Sequence, residues 1–407
     1  MPIYRLRYYL SLPKPNLCDL YLMVWVVYYL QGLLYEEGTM VSQLMLGLNL
    51  GLSIFFAVKV YLRKDLPLYF KGLGALLLMF TIYGALIIAE GRSFYVEMSN
   101  TIVEPSRYLQ GIYISLLPLF PMYWFARNGL FPERKMRIWT ILLLLSSTAI
   151  YIKMGLDAVT KMNVLDVSEV TNNGGYAILY MFPALYLLTK NKIVQYGMLA
   201  YIIILVVLSM KRGALLCCGI CTIFYLIQSF KSASRKYRVL LLVAISVFAL
   251  ISIVVLMAVL KDNMYLMKRI ESTMDGESSN RDNLYTQMLN YLVSQDLFHM
   301  LVGNGANSSL RISENYAHND WLEIALNQGL LGISIYVFYF ICFYRTAKAA
   351  AEKKIRNALY AMLIMIIVPT FFSMSYNAMN FVLASFLGYS LACSQSDKPA
   401  EQVQQLE

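Results

Sequence analysis

Long apolar runs, separated by short polar and basic clusters, recur along most of this chain. A helix needs about 20 apolar residues to cross a bilayer, and closed backbone hydrogen bonding makes helices the default spanning element. On that measure the chain divides into about twelve spanning segments, beginning near Asp19, Met40, Lys71, Tyr108, Ile138, Tyr176, Ile193, Gly213, Val239, Asp320, Asn357 and Asn377. The sixth and twelfth are short. The pattern predicts an all-α polytopic membrane protein forming a single membrane domain over residues 1–407, without internal repeats or low-complexity linkers. Polar stretches at 90–107, 153–175 and 261–319 are the expected extracytoplasmic loops, the last a large loop between helices 9 and 10. A loop of nearly sixty residues needs structure of its own. Within it, Leu284, Met288 and Leu292 recur at four-residue spacing, an amphipathic stripe suited to the membrane surface or the protein rim. Ser279 and Asp282 give that helix a capping-box-like start. The Gly303-Asn304-Gly305-Ala306-Asn307 turn signal then leads the chain back toward His318.

Composition agrees: 59% of residues are apolar, 14% are charged, and mean hydropathy is +0.56. Lys and Arg concentrate on cytoplasmic loops of membrane proteins. With a cytoplasmic N-terminus, 22 of the 34 basic residues fall on the inner side, while Lys59 snorkels from a helix end. Of the 24 acidic residues, 17 fall outside. Both termini are then cytoplasmic. The net charge of +10 is therefore topological. No basic patch interleaved with stacking aromatics points to nucleic acid. The six cysteines lie in or beside apolar runs. The CxxC at Cys218–Cys221 sits inside a span with no second ligand pair, so small buried residues are the plain reading. The first apolar stretch is too long for a cleavable signal peptide and lacks a small-residue cleavage site. The 32 tyrosines and four tryptophans suit interfacial aromatic belts.

The spans are nearly free of charge between their ends. Transporters and pumps usually carry ionisable groups near the midplane; here the unusual polar groups gather at the outer rim. His318, one of two histidines, stands where a polar segment gives way to an apolar one, followed by Asn319, Asp320 and Glu323. A neutral imidazole accepts a proton from a hydroxyl near neutral pH; the plain alternative is an interfacial histidine packed on aromatics. Asp320 and Glu323 have the D-x-x-E spacing of a capping box. Asn319 and Glu323 share a helix face, so Glu323 is also placed to orient Asn319 or the surroundings of the imidazole.

Arg212, preceded by Lys211, stands at the outer start of the eighth span, and Arg281 in the first turn of the loop helix. Helix N-termini favour anions through free N–H groups and the dipole, and a guanidinium adds bidentate phosphate recognition. Contact with lipid headgroups is the plain alternative. No metal-ligand spacing, Walker A loop or dinucleotide fingerprint occurs, so no metal, cofactor or cytoplasmic nucleotide is expected.

Together these motifs resemble the bacterial O-antigen ligase and O-antigen polymerase family of membrane glycosyltransferases. The resemblance rests on the polar-Arg-Gly segment from Ser209 to Leu216 and the Arg-bearing segment from Ser279 to Tyr285. It continues through the Gly-x-Gly turn at Gly303–Gly305 and the His-Asn-x-x-x-Glu-(x)5-Gly segment from His318 to Gly329. These cover under a tenth of the chain, and the last is the most specific. Lys211 departs from the pattern, where a small or polar residue is frequent, so either cation is open to the phosphate role. The resemblance implies a C-type glycosyltransferase-like fold in the bacterial inner membrane, acting at the periplasmic face on an undecaprenyl-diphosphate-linked oligosaccharide without a metal. It implies His318 as catalytic base, Arg212, Arg281 and Lys211 as diphosphate ligands, and Asn319 and Glu323 in support. The acceptor is a lipid-linked repeat unit for a polymerase, or lipid A-core for a ligase. The Lys211–Leu216 segment leans to the polymerase, for which a chain-length regulator is a further partner. A lipid-linked oligosaccharide flippase is the alternative of another class, and the near-empty spans argue against it.

Overall fold

A computed structural model describes residues 14–97, 100–161, 173–209, 211–232, 234, 238, 281–374, 376 and 380–395, the side chains of 156–161 and 281 excepted. Helices dominate. Among the described residues four come first, α1 (Leu17–Tyr29), α2 (Met40–Tyr61), α3 (Leu68–Glu90) and α4 (Ser106–Leu116), with the strands β1 (Phe94–Val96) and β2 (Thr101–Val103) between the last two. Then come α5 (Leu119–Arg127), α6 (Glu133–Lys161), α7 (Gly174–Leu179), α8 (Ala184–Leu187), α9 (Lys192–Leu208) and α10 (Arg212–Ser232). The final set is α11 (Arg281–Val293), α12 (Leu297–Val302), α13 (Ser308–Ser313), α14 (Asp320–Ala349), α15 (Lys353–Ile367) with a 3-10 turn over Val368–Phe371, and α16 (Phe381–Ser394).

Among the described residues, seven helical stretches are long and apolar enough to cross a membrane: Met40–Tyr61, Leu68–Glu90, Ser106–Arg127, Glu133–Gly155, Arg212–Ser232, Asp320–Ala349 and Lys353–Phe371. This is a helical polytopic membrane protein, but the expected count of twelve is not reached among the described residues. Four of the predicted segments are shorter apolar helices, at Leu17–Tyr29, Gly174–Leu187, Lys192–Leu208 and Phe381–Ser394. The ninth, from Val239, lies outside the described residues. Two of the short ones are short because they are core. α16 buries every residue from Phe381 to Ala392, and at 14 residues it rises only ~21 Å. The predicted span at Tyr176 divides into α7 and α8 before Pro183, whose ring removes a helix hydrogen bond. Ile178, Leu179, Met181, Phe182 and Ala184 are fully buried. Their apolarity reflects protein contact rather than lipid.

Close helix contacts rest on small residues. A Cβ on Gly72 of α3 would stand 2.9 Å from the Tyr339 Cα in α14, and one on Gly388 of α16 2.6 Å from the Leu119 carbonyl oxygen in α5. Polar bonds fix the register of the first pair: the Tyr69 and Tyr339 hydroxyls are 3.1 Å apart, and the Tyr69 amide donates to the Thr346 hydroxyl at 2.8 Å.

The all-α expectation needs one amendment. The predicted loop at 90–107 contains an antiparallel hairpin pairing Phe94 with Val103 and Val96 with Thr101. It is tied to the His318 end of the molecule: the Glu97 amide donates to the Glu314 carbonyl at 2.9 Å, and the Asn315 side-chain amide to the Glu97 carboxylate at 3.1 Å. Of the predicted loop at 261–319, residues 281–319 are described and carry α11, α12 and α13. Of the two surroundings open to the Leu284–Met288–Leu292 stripe, the membrane surface and the protein rim, it packs on protein. Met288 is fully buried against Ala317, Leu322 and Leu326, with Leu284 and Leu292 packed around them.

Candidate active site

His318 occupies the turn between α13 and α14, half-buried and left-handed at φ 50°. That region costs a non-glycine residue about 1–3 kcal/mol and persists only where surroundings over-determine it. The surroundings here are specific. Glu323, fully buried, accepts from the Ala317 amide at 2.6 Å, the Ser309 hydroxyl at 2.8 Å and the Asn327 amide at 3.5 Å. One carboxylate thus ties together the residue before His318, α13 and its own helix. Asn319 caps α14 through the Leu322 amide at 3.1 Å and donates to the Phe371 carbonyl at 3.1 Å. Trp321 donates to the Thr370 hydroxyl at 2.9 Å. Asp320, fully buried, accepts from the Tyr336 hydroxyl at 2.7 Å and the Tyr376 amide at 3.2 Å. The D-x-x-E capping box read from Asp320 and Glu323 is not what forms: Asn319 is the cap, and Glu323 reaches back along the chain. Tyr316, two residues before His318, has its phenol pushed up to about 12 by burial, with the Glu323 charge adding.

Beneath this turn, α14 is interrupted. Gly329 has φ 63° and ψ −159°, and Gly303 has φ 77° and ψ −174°; both lie in a region essentially restricted to glycine. The interruption leaves carbonyls without helical partners, and the Gly303–Gly305 turn supplies them. The Asn304 amide donates to the Leu326 carbonyl at 2.9 Å and the Gly305 amide to the Asn327 carbonyl at 3.0 Å. A Cβ on Gly303 would run into the Asn327 carbonyl group, and one on Gly329 would lie 2.5 Å from the Leu301 carbonyl carbon. The Asn327 side chain accepts from the Ser308 amide at 2.8 Å, closing the joint. The two glycine motifs are therefore halves of one contact.

The arginine segments reach the same turn by different routes. Arg212 is exposed at the first position of α10, beside half-buried Lys211, whose amide donates to the Ser209 hydroxyl at 3.3 Å. The next residue, Gly213, lies against Tyr176 and Phe372: a Cβ there would be 2.5 Å from the Phe372 ring. Phe372 follows the residue whose carbonyl Asn319 holds, so the start of α10 and the start of α14 share one support. Arg281 opens α11, and its side chain lies outside the described residues. Its helix docks through Met288 on Ala317, and Gln287 donates to the Ile312 carbonyl at 3.0 Å. The backbone thus brings all three motifs to one end of the molecule, with the N-termini of α10 and α14 linked through Phe371 and Phe372. Among the described residues, no three His, Cys, Asp or Glu side chains gather to hold a metal.

Residues 197–337 match the family model described as O-antigen ligase. The match supports the O-antigen ligase and polymerase family for this chain. The matched stretch runs from α9 into α14 and contains Arg212, Arg281, the Gly303–Gly305 turn, His318, Glu323 and Gly329. No curated protein matches the chain. Several supports of the site were not legible in the sequence. Ser309, Phe371 and Phe372 have no motif of their own. Arg311, ion-paired to Glu90 and placed 5.5 Å from the Phe94 ring centre, joins α13 to the hairpin.

Proposed function

We propose that this protein is a membrane glycosyltransferase that moves an oligosaccharide from undecaprenyl diphosphate to an acceptor sugar hydroxyl at the periplasmic face of the bacterial inner membrane. One observation carries the reading: the O-antigen ligase match covers the segment that contains Arg212, Arg281 and His318, the last in a left-handed turn just before the buried carboxylates Asp320 and Glu323. In the proposed reaction His318 takes the proton of the acceptor hydroxyl. The freed oxygen attacks the anomeric carbon as its bond to the diphosphate breaks, inverting that carbon. Lys211, Arg212 and Arg281 hold the diphosphate and stabilise its charge as it leaves, and Asn319 and Glu323 position the turn. The donor is already activated, so no nucleotide is required.

For the acceptor we propose a second lipid-linked repeat unit, making the protein a surface-polysaccharide polymerase. The family description favours a second reading, ligation onto lipid A-core. The test is transfer in vitro by the purified full chain with undecaprenyl-diphosphate-linked donor, offered each acceptor in turn. His318→Ala is expected to lower transfer by about 10²–10⁴-fold, the usual contribution of a general base, with donor still bound. Arg281→Ala should weaken donor binding as well as turnover, losing a charge-assisted contact of about 1.5–3 kcal/mol; Arg281→Lys restores charge without the planar fork and rescues in part. Normal product from His318→Ala removes the histidine from the mechanism. No transfer to either acceptor, with donor crossing the bilayer instead, makes the protein a flippase.

A further inference from the structure

The helices α11 and α12 follow one another in the predicted extracytoplasmic loop and are built for different surroundings. α11 buries Met288 in protein. α12 buries none of its residues: Leu297 is 71% exposed, Phe298 67% and Leu301 46%, and Val293 just before it is 81% exposed. Contiguous exposed apolar surface of this kind marks an interaction site in a soluble domain. We propose that residues 293–301 are seated in the bilayer, in the leaflet on the His318 side, as an interfacial anchor of the loop.

Three observations choose lipid as the occupant. First, the surface is continuous with that of a membrane span. The end of α12 abuts the interruption of α14, where a Cβ on Gly329 would meet the Leu301 carbonyl group. Directly after it, Leu330 and Leu331 are 51% and 52% exposed, and Val337, Phe338 and Ile341 continue that exposure down the span.

Second, the depth agrees. α14 is broken at Gly329, and the unbroken helix from Leu330 to Arg345 rises ~24 Å, against a hydrocarbon thickness of ~30 Å. Arg345 and Lys348 mark the water boundary at its far end. The Gly329 joint where α12 packs then lies about 6 Å inside the opposite edge of the hydrocarbon. The Tyr83 hydroxyl of α3 also donates to the Val302 carbonyl at this level, anchoring α12 to a second span.

Third, charge is kept off the apolar face. Asp296 is the one acidic residue in 289–303, and no Lys or Arg occurs there. Its carboxylate is turned onto the helix start, accepting from the His299 amide at 2.9 Å and lying 2.7 Å from the His299 ring. Such a capped, partnered polar end suits the headgroup layer, with Leu297, Phe298 and Leu301 below it.

The test is site-directed spin labelling of the full chain in proteoliposomes, which reads no transfer activity and stands apart from the proposed function. Five of the six cysteines are buried and Cys393 is half-buried, so Cys393→Ser gives a quiet background. Labels go at Val293, Leu297, Phe298 and Leu301, with Ile341 as lipid-facing control and the exposed Glu104 as water-facing control. Oxygen is expected to relax the four test labels several-fold more effectively than a water-soluble nickel chelate, as at Ile341, with the reverse at Glu104. Relaxation at 297 and 298 by the nickel chelate as strong as at Glu104 overturns the proposal. So does shielding from both reagents, which would assign this face to a protein partner or a second copy.

Discussion

Two helix starts at opposite ends of the molecule carry nearly the same local signal and use it differently. At α1 the pair Asn16 and Asp19 forms a complete capping box: the Asn16 side-chain oxygen accepts from the Cys18 and Asp19 backbone amides, and the Asp19 carboxylate accepts from the Asn16 backbone amide at 2.8 Å. Asp19 then takes the Lys135 ammonium and the Trp139 ring N–H at 2.8 Å, so its charge is balanced by a cation. At α14, Asn319 also caps, but Glu323 turns away from the cap to neutral donors on Ala317, Ser309 and Asn327. One carboxylate completes a helix and neutralises a lysine. The other uses its acceptors to hold the turn before the helix in a strained conformation. Burying a carboxylate among neutral donors alone is costly, and what it secures is a fixed His318.

Substitution at the two carboxylates breaks the comparison most sharply. Asp19→Ala leaves Lys135, only 4% exposed, without its partner, and removal of one member of a buried pair costs about 3 kcal/mol. Thermal unfolding in detergent should show that loss, while transfer per folded molecule stays unchanged. Glu323→Ala leaves the Ala317 amide and Ser309 hydroxyl buried and unbonded, at about 1–3 kcal/mol each. It also frees the turn, and a displacement of about 1 Å at a reacting group costs on the order of 100-fold in rate. Glu323→Gln keeps one acceptor for Ala317 and should retain part of the activity. Equal rate losses for Asp19→Ala and Glu323→Ala would reduce the distinction to stability alone.

The glycine joint gives the next largest effect. Ala at 329 or 303 forces a side chain into a glycine-only conformation and into the backbone of the facing segment. Each should cost about 2 kcal/mol or more and lower transfer, since the joint underlies Glu323. Gly51, exposed in α2 with nothing within 4 Å of the place a Cβ would take, is the control: Ala there should raise stability by about 0.5–1 kcal/mol. Unchanged melting of Gly329→Ala would show that the interruption of α14 is dispensable.

What the sequence made legible follows from the range of each signal. Apolar runs depend on neighbours a few residues apart, and eleven of the twelve predicted segments coincide with helices. The Gly303–Gly305 turn and the order of the three motifs were readable for the same reason. Partners distant in sequence were not. Whether Gly174–Leu187 and Phe381–Ser394 face lipid or protein depends on what surrounds them, which apolarity does not record. The D-x-x-E spacing at Asp320 is compatible with a capping box, but the Ala317 amide and Ser309 lie before the helix and outcompete it. The Leu284–Met288–Leu292 stripe was readable as a face, while its choice between membrane surface and protein rim depended on Ala317 and Leu326, which cover it.

The two cap asparagines give the smallest and most discriminating contrast. Each cap contributes about 1 kcal/mol, so Asn16→Ala and Asn319→Ala should lower stability by similar amounts. Their second bonds differ in destination. The Asn16 amide donates to the Leu130 carbonyl at 2.7 Å, far from His318. The Asn319 amide donates to the Phe371 carbonyl, next to the Phe372 ring against which the Arg212–Gly213 start of α10 is packed. Losing that bond loosens the cationic helix start relative to the histidine turn. Asn319→Ala should therefore raise KM for the lipid-linked donor several-fold, and Asn16→Ala should leave it unchanged. Asn319→Asp separates the two roles, since a carboxylate caps as well as an amide but cannot donate to a carbonyl. It should restore the melting temperature and keep the raised KM. Recovery of both would assign Asn319 to the helix alone.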